Sequence, residues 1–300
     1  MIKKFLNFTE IQTKITSFFT FLLTLGFMVL QGIEIKLIPT LVFFLSMLIF
    51  DLCTTAINNY IDAKGNGQEL NFSQKTSFNL IVAMFLISVG RGLYLVWISD
   101  LIVLVLGAFC FAVGVLYTYG PVPISRQAYG EIISGIMYGF FIPFLLIHVN
   151  DPSSIIGFTI KSGQLILSLE IMIFIKFIFV FMIPTLLTSS IMLANNTCDI
   201  EKDVVVKRFT LPYYLGQEVS VKLMYALYLG VYGTLVIAVI LGGLPVTSLL
   251  TLITIPKVMN HLGQFKKDLI KHVSFKFIIK NFIMIMAVLV LSTAIGLMLF

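Results

Sequence analysis

The chain has 300 residues, of which 59% are hydrophobic and only 11% charged, and its mean hydropathy is +1.04. Ordinary soluble domains carry about 25% charged residues, so this chain cannot tile a water-facing surface. A soluble enzyme is excluded, and the net charge of +6 does not mark a nucleic-acid binder, because the charges fall between apolar runs in the pattern of a polytopic membrane protein.

A hydrocarbon core of about 30 Å needs about 20 mostly apolar residues per helix. The sequence predicts such spans at 15–33, 37–61, 76–98, 101–119, 128–149, 168–196, 221–241, 245–260 and 277–299. The expectation is one all-α domain over 1–300, a bundle of about nine transmembrane helices. Lys3, Lys4 and Lys14 precede the first span and no small-residue cleavage site follows, so this span is read as retained rather than as a signal peptide. The sixth span is overlong and is expected to project past the membrane. Gly242, Gly243 and Pro245 divide the apolar run after Lys222 into two helices.

Alternating the spans sorts the loops. One set, with the N-terminus, holds Lys3, Lys4, Lys14, Lys64, Lys75, Arg126, Lys202, Lys207, Arg208, Lys266, Lys267, Lys271, Lys276 and Lys280; the other holds Lys36 and Lys161. By the positive-inside rule the N-terminus is cytoplasmic, in a multi-pass protein of a bacterial cytoplasmic membrane. Cys53, Cys110 and Cys198 form no ligand or disulfide spacing and read as small buried hydrophobes.

Two cytoplasmic helix ends are dense in amides and carboxylates. The second span finishes in Asn58-Asn59-Tyr60-Ile61-Asp62-Ala63-Lys64-Gly65-Asn66, and the sixth in Asn195-Asn196-Thr197-Cys198-Asp199-Ile200-Glu201-Lys202-Asp203. Asn58, Asp62 and Asn66 recur every fourth residue, as do Asn195, Asp199 and Asp203, so a helix stacks each set on one face. Oxygen ligands so arranged suit Mg²⁺, which keeps waters and shares phosphate oxygens of a substrate. Downstream, Lys207, Arg208 and Thr210 offer the cations and hydroxyl that a diphosphate also needs. The plainer alternative is that these groups only solvate two helix ends, but two matching clusters on one side argue for a site.

These residues resemble the signature of the UbiA-type membrane prenyltransferases. The segment NNTCDIEKDVVVKRFTLPYYLG is most similar to the menaquinone-pathway branch, and Tyr117-Thr118-Tyr119-Gly120-Pro121-Val122-Pro123-Ile124-Ser125 with Gly130-Glu131 resembles that branch's loop between helices four and five. The resemblance covers essentially the whole chain. It implies a UbiA-like bundle with a cytoplasm-facing site, and Mg²⁺-dependent transfer from a polyprenyl diphosphate to 1,4-dihydroxy-2-naphthoate, giving demethylmenaquinone. Asp62, Asp199 and Asp203 would be the catalytic carboxylates and, with Asn58 and Asn66, the metal ligands. Asn58, Asn59, Lys64, Asn195, Asn196, Lys207, Arg208, Thr210, Tyr117 and Tyr119 would contact substrate, with Lys75 and Tyr60 as further candidates. The chain departs from the family at Asn59 and Asn66, where aspartate is usual, so that Asp62 is the first segment's one remaining carboxylate. A weakened first metal site, or an impaired relative, therefore stands beside an active enzyme, as does a different aromatic acceptor.

A transporter using Asp51, Asp62, Asp199 and Asp203 is the reading from another class. Its sites would sit at mid-membrane on broken helices, whereas both clusters end helices on one face. Asp51 lies eleven residues before Asp62, about 16 Å along a helix, and is expected to hydrogen-bond within the bundle or line the lower cavity. Arg91, Glu170 and Lys176 are expected to snorkel or pair with one another. His148, His261 and His272 are expected at surfaces or interfaces, and Lys266, Lys267 and Lys271 against anionic lipid.

Overall fold

The computed structural model describes residues 1–66, 70–161 and 164–299, apart from the side chains of 64–66, 158–161 and 165. In chain order the helices are α1 Ile2–Phe8, α2 Ile15–Leu30, α3 Leu37–Asn66, α4 Gln74–Ile98, α5 Leu101–Thr118, α6 Gly130–Ile136, α7 Ile142–Asn150, α8 Ile171–Val205, α9 Leu211–Ile240, α10 Ile255–Lys267 and α11 Lys271–Leu299. Among the described residues seven helical stretches are long and apolar enough to cross a membrane, Gly130–Asn150 counting as one, and Leu101–Leu116 is a shorter apolar helix. The remaining expected span, 245–260, is a 3₁₀ segment, Val246–Thr254, that runs into α10. The chain is a multi-pass membrane protein.

Local chemistry sets the breaks. Asp100 caps α5 by accepting from the amides of Ile102 and Val103 at 2.9 and 3.3 Å, and Ser73 caps α4 through Thr76 N at 3.2 Å. Pro143 at the start of α7 lacks an N–H. The stretch Met137–Phe141 before it is wound as a π-helix, the usual way a helix absorbs a missing rung. Pro184 lies inside α8, and Thr185 Oγ1 bonds Phe181 O at 2.7 Å beside the interruption. The apolar run predicts helix from 168; instead an antiparallel hairpin, β1 Ile156–Lys161 and β2 Gln164–Leu169, precedes α8. Asp151-Pro152-Ser153-Ser154 stops α7, and β-branched residues then favour the extended chain.

Burial divides the interior in two. The larger core joins α2, α7, α8, α9, α10 and α11 around Phe27, Leu146, Phe177, Phe181, Phe265 and Phe282. The smaller one joins α3 and α4 to the N-terminal segment through Phe8, Leu52, Cys53, Ala56, Ile81 and Met84. A buried ion pair connects the two. Lys14 Nζ reaches Asp51 Oδ1 at 2.9 Å, with the two side chains 5% and 6% exposed. Ser17 Oγ donates to Asp51 Oδ2 at 2.7 Å and Tyr138 OH to Asp51 Oδ1 at 2.6 Å. Asp51 is thus hydrogen-bonded within the bundle as expected, whereas Lys14 is a core residue and not the loop charge its position suggested.

The other expectations for scattered charges divide. Lys176 donates to Gln31 Oε1 at 2.9 Å, not to Glu170, and Gln31 donates to Gly242 O at 2.9 Å. His148 is buried, not superficial, with Nε2 2.9 Å from Asp100 Oδ2. His261 is buried as well, its Nδ1 2.6 Å from Asn281 Oδ1. Both rings lie on helices whose neighbours close over them, which no local spacing discloses.

Removing one partner of a buried ion pair costs about 3–5 kcal/mol, because the other charge stays behind. Lys14→Met is expected to lower the melting temperature in detergent sharply, and adding Asp51→Leu to recover most of the loss.

Candidate active site

α8 has 35 residues, about 52 Å of helix at 1.5 Å per residue, so its last turns outrun a hydrocarbon core of about 30 Å. They carry Asn195, Asn196, Asp199 and Asp203. α3 likewise runs 30 residues, and its end carries Asn58 and Asp62, stacked so that Asn58 Nδ2 donates to Asp62 Oδ2 at 3.3 Å. The charge of Asp62 reaches Asp203 across the gap between the two ends, more weakly than those of Arg208, Asp199 and Lys271. Thr118, the last residue of α5, touches the same place through Asn58 Oδ1 at 3.4 Å.

The end of α8 explains how Arg208 reaches the site. The amide of Lys207 bonds Val204 O at 3.1 Å and that of Arg208 bonds Asp203 O at 2.8 Å. This pair of bonds is a Schellman turn, which needs a left-handed residue after the cap. Lys207 supplies it with φ 57° where glycine is usual. The turn brings the chain back, so Arg208 Nε stands 3.6 Å from Asp203 Oδ1, while the Lys207 side chain is exposed. Two further bonds fasten this loop to the one after α5: Phe209 N to Arg126 O at 3.0 Å and Arg208 Nη2 to Ser125 O at 3.4 Å.

Beneath the carboxylates, α6 and the π-wound stretch after it pack on α8 at very short range. A Cβ at Gly135 would overlap Ser189 Oγ and come within 2.7 Å of Thr185 O, and one at Gly139 would come within 2.6 Å of Thr185 Cα. This contact sets Glu131, 2% exposed, against α8. Asn196 Nδ2 donates to Glu131 Oε1 at 2.7 Å, and Ser189 Oγ to Glu131 O at 3.0 Å. Tyr117 OH accepts from Ser134 Oγ at 2.9 Å in the same layer. Asp199 is held from the far side by Lys271 at 2.5 Å and by the exposed Lys202 at 3.7 Å.

Of the residues singled out from sequence, the fold therefore assembles Asn58, Asp62, Tyr117, Asn195, Asn196, Asp199, Asp203 and Arg208, with the buried Thr210 opening α9. Asn195 Nδ2 joins Asn196 Oδ1 at 3.4 Å. Asn59 is not among them: its Nδ2 donates to Phe8 O at 3.0 Å and Glu10 Oε1 at 3.3 Å, across a different face of α3. Tyr119 is 63% exposed, and Tyr60 packs on Phe78 with ring centroids 6.4 Å apart. The side chains of Lys64 and Asn66 lie outside the described residues. Glu131 and Lys271 were not singled out as site residues. The first sits in the Gly130-Glu131 loop motif; the second reads from sequence as a topology charge against anionic lipid, whereas it pairs with Asp199.

Several buried polar atoms converge here without a hydrogen bond: Asp203 Oδ2, Glu131 Oε2, Arg208 Nε and Thr210 Oγ1. Buried groups of this kind are nearly always paired, so they mark a place for a polar ligand. Among the described residues no three His, Cys, Asp or Glu side chains form a closed metal cage. By donor type Asn58, Asp62, Asp199 and Asp203 offer the oxygens that a hard cation prefers.

A membrane bundle whose two polar helix ends bear carboxylates, faced by Arg208 and Lys271, defines a class that handles an anionic headgroup on a lipid-soluble molecule. Residues 17–282 match the UbiA prenyltransferase family; the chain belongs to that family and is a prenyltransferase. It is 26% identical over 248 residues, 79% of this chain and 74% of the relative, to 1,4-dihydroxy-2-naphthoate octaprenyltransferase of Bacillus subtilis (strain 168). Its fold matches the apo structure of a UbiA homolog from Aeropyrum pernix K1 at TM-score 0.67, with 13% identity over 95% of this chain and 98% of that one. It also matches a UbiA homolog from Archaeoglobus fulgidus bound to DMAPP and Mg²⁺ at TM-score 0.61, with 13% identity over 99% of this chain and all (100%) of the other.

Leaving a buried charged acceptor unpartnered costs roughly 1–3 kcal/mol or more. Asn196→Leu, which strips Glu131 of its donor, is expected to lower the melting temperature accordingly, and Asn196→Gln to lower it less.

Proposed function

We propose that the chain transfers a polyprenyl group from polyprenyl diphosphate to 1,4-dihydroxy-2-naphthoate. The observation that carries this reading is the polar end of α8, where Arg208 Nε stands 3.6 Å from Asp203 Oδ1 and Lys271 pairs with Asp199, while Asp203 Oδ2 is buried without a hydrogen bond. The allylic C–O bond breaks and its electron pair leaves on the diphosphate. The cation's carbon then bonds to the ring, and the ring's carboxylate leaves as CO₂. The product is demethylmenaquinone in its quinol form. The naphthoate is favoured over other acceptors by the similarity to the Bacillus subtilis relative and by the Tyr117–Ser125 and Asn195–Thr210 segments.

The hard step is separating a diphosphate anion from a carbocation in an apolar interior. Arg208 and Lys271 neutralise the anion as it forms, and Lys207 adds a cation at the mouth. Asp62, Asp199, Asp203 and Asn58 would hold Mg²⁺, which would supply further positive charge for the diphosphate. Tyr117, fixed by Ser134, presents a π-face that favours a nearby cation. Asp203 Oδ2 and Glu131 Oε2, both free of hydrogen bonds, can take the acceptor hydroxyl proton as the ring attacks and return it as CO₂ leaves, so the quinol forms with no net loss of a proton. The prenyl tail lies between helices, drawn from the bilayer. This orientation goes with a cytoplasmic N-terminus in a bacterial cytoplasmic membrane. At the opposite end of the bundle Gln31, Lys176 and Gly242 are bonded together, which favours a site open on one side over a transport path.

Membranes containing the chain, given 1,4-dihydroxy-2-naphthoate, a polyprenyl diphosphate and Mg²⁺, are expected to yield the prenylated naphthoquinol by mass. Chelation should abolish it, and Asp199→Ala should reduce the rate by about 100-fold or more. Absence of product at every prenyl length, with naphthoate replaced in turn by benzoate acceptors, would overturn the reading.

A further inference from the structure

We infer that the N-terminal segment Phe5–Lys14 is a strap that positions the first polar helix end, and that Asn59 is its anchor and not a weakened metal ligand. The inference rests on the prenyl-diphosphate reading of the site. Asp51, Thr55 and Asn59 recur every fourth residue along α3, so they form one stripe on one face. All three bond the same segment. Lys14 Nζ reaches Asp51 Oδ1 at 2.9 Å and Thr55 Oγ1 at 2.5 Å. Asn59 Nδ2 reaches Phe8 O at 3.0 Å and Glu10 Oε1 at 3.3 Å.

Between these fastenings the segment is tightly determined. Phe8 and Thr9 are fully buried, and Phe8 packs edge-on against Phe72 with centroids 5.9 Å apart. Glu10 holds φ 45°, a left-handed conformation that a glutamate does not choose freely. Surrounding contacts must enforce it, and the bond from Asn59 is the side-chain contact that holds the Glu10 carboxylate.

The chemistry of the anchor explains its identity. Both atoms facing Asn59 Nδ2 are acceptors, a carbonyl and a carboxylate. An amide can donate to both; an aspartate would set one carboxylate against another and against a carbonyl oxygen. Asn58 and Asp62 flank Asn59 on the same helix, one residue before and three after. Fixing the rotation of this last stretch of α3 about its axis therefore sets where both of them point: Asn58 bonds Asp62 and Thr118, and the charge of Asp62 reaches Asp203. Asn59 is on this account a positioning residue, acting through α3 and not on the diphosphate.

The test uses the full chain in nanodiscs, with Asn59→Asp, Glu10→Gln and the double variant. Hydrogen–deuterium exchange over residues 5–14 is read beside Mg²⁺-dependent binding of geranyl diphosphate. Asn59→Asp is expected to speed exchange about tenfold, the scale of losing one or two buried hydrogen bonds, and to weaken binding by a similar factor. Glu10→Gln alone should stay near the parent. The double variant should recover most of both effects, because the side-chain amide introduced by Glu10→Gln can donate to the new carboxylate. Unchanged exchange in Asn59→Asp, or tighter Mg²⁺-dependent binding, would overturn the inference in favour of a ligand position; faster exchange with unchanged binding would overturn the positioning role. If the parent does not bind geranyl diphosphate, the functional reading fails, and a strap whose exchange does not respond to Asn59→Asp or recover in the double variant fails with it.

Discussion

The bundle depends on a charge it cannot leave unpaired. Asp51 sits deep in α3, and both of its oxygens are taken: Lys14 and Tyr138 on one, Ser17 on the other. An isolated carboxylate at that depth would cost many kcal/mol, so the lysine before α2, the serine within it and the tyrosine of the π-turn are drawn to one point. That point lies where the small α3–α4 core adjoins the large one. Apolar packing has no direction of its own; the ion pair and its hydroxyl donors supply a register between the two halves.

The site inherits its geometry from that register. α3 and α8 are each longer than a bilayer is thick, and their surplus turns are the segments that carry amides and carboxylates. Whether those segments face each other depends on how the α3 half is rotated against the α8 half. The glycine contacts at Gly135 and Gly139 fix α6 and the π-turn after it against α8, and the Asp51 node fixes α3 against that π-turn. The Schellman turn after α8 then returns Arg208 to Asp203, accepting a left-handed lysine at Lys207. Strain of this kind persists only where neighbours enforce it, and here the bonds from Phe209 and Arg208 to the Arg126 loop do so.

Charge balance at the site is close. Lys271 and Lys202 answer Asp199, and Arg208 answers Asp203, yet an oxygen of Asp203, an oxygen of Glu131 and the Nε of Arg208 remain without hydrogen bonds. A buried surface with unmet donors and acceptors of both signs is ready for a ligand that is anionic and accompanied by a cation. A prenyl diphosphate with its metal, the ligand proposed above, has that character.

The sequence by itself determined the membrane class, most of the long helices and the gathering of amides and carboxylates at the ends of two of them. These follow from composition, run length and fourfold spacing, which are local properties. It did not disclose the hairpin before α8 or the 3₁₀ stretch before α10, where apolar runs look alike whatever their backbone. Nor could it separate Asn58 from Asn59: adjacent helix positions point about 100° apart, and only the tertiary structure decides which one bonds Asp62 and Thr118 and which one bonds Glu10. Lys14, His148 and His261 read as loop or surface groups because burial depends on the chain that folds over them. Lys271 and Glu131 became partners of Asp199 and Asn196 only through packing, which joins residues 72 and 65 positions apart and leaves no trace in local spacing.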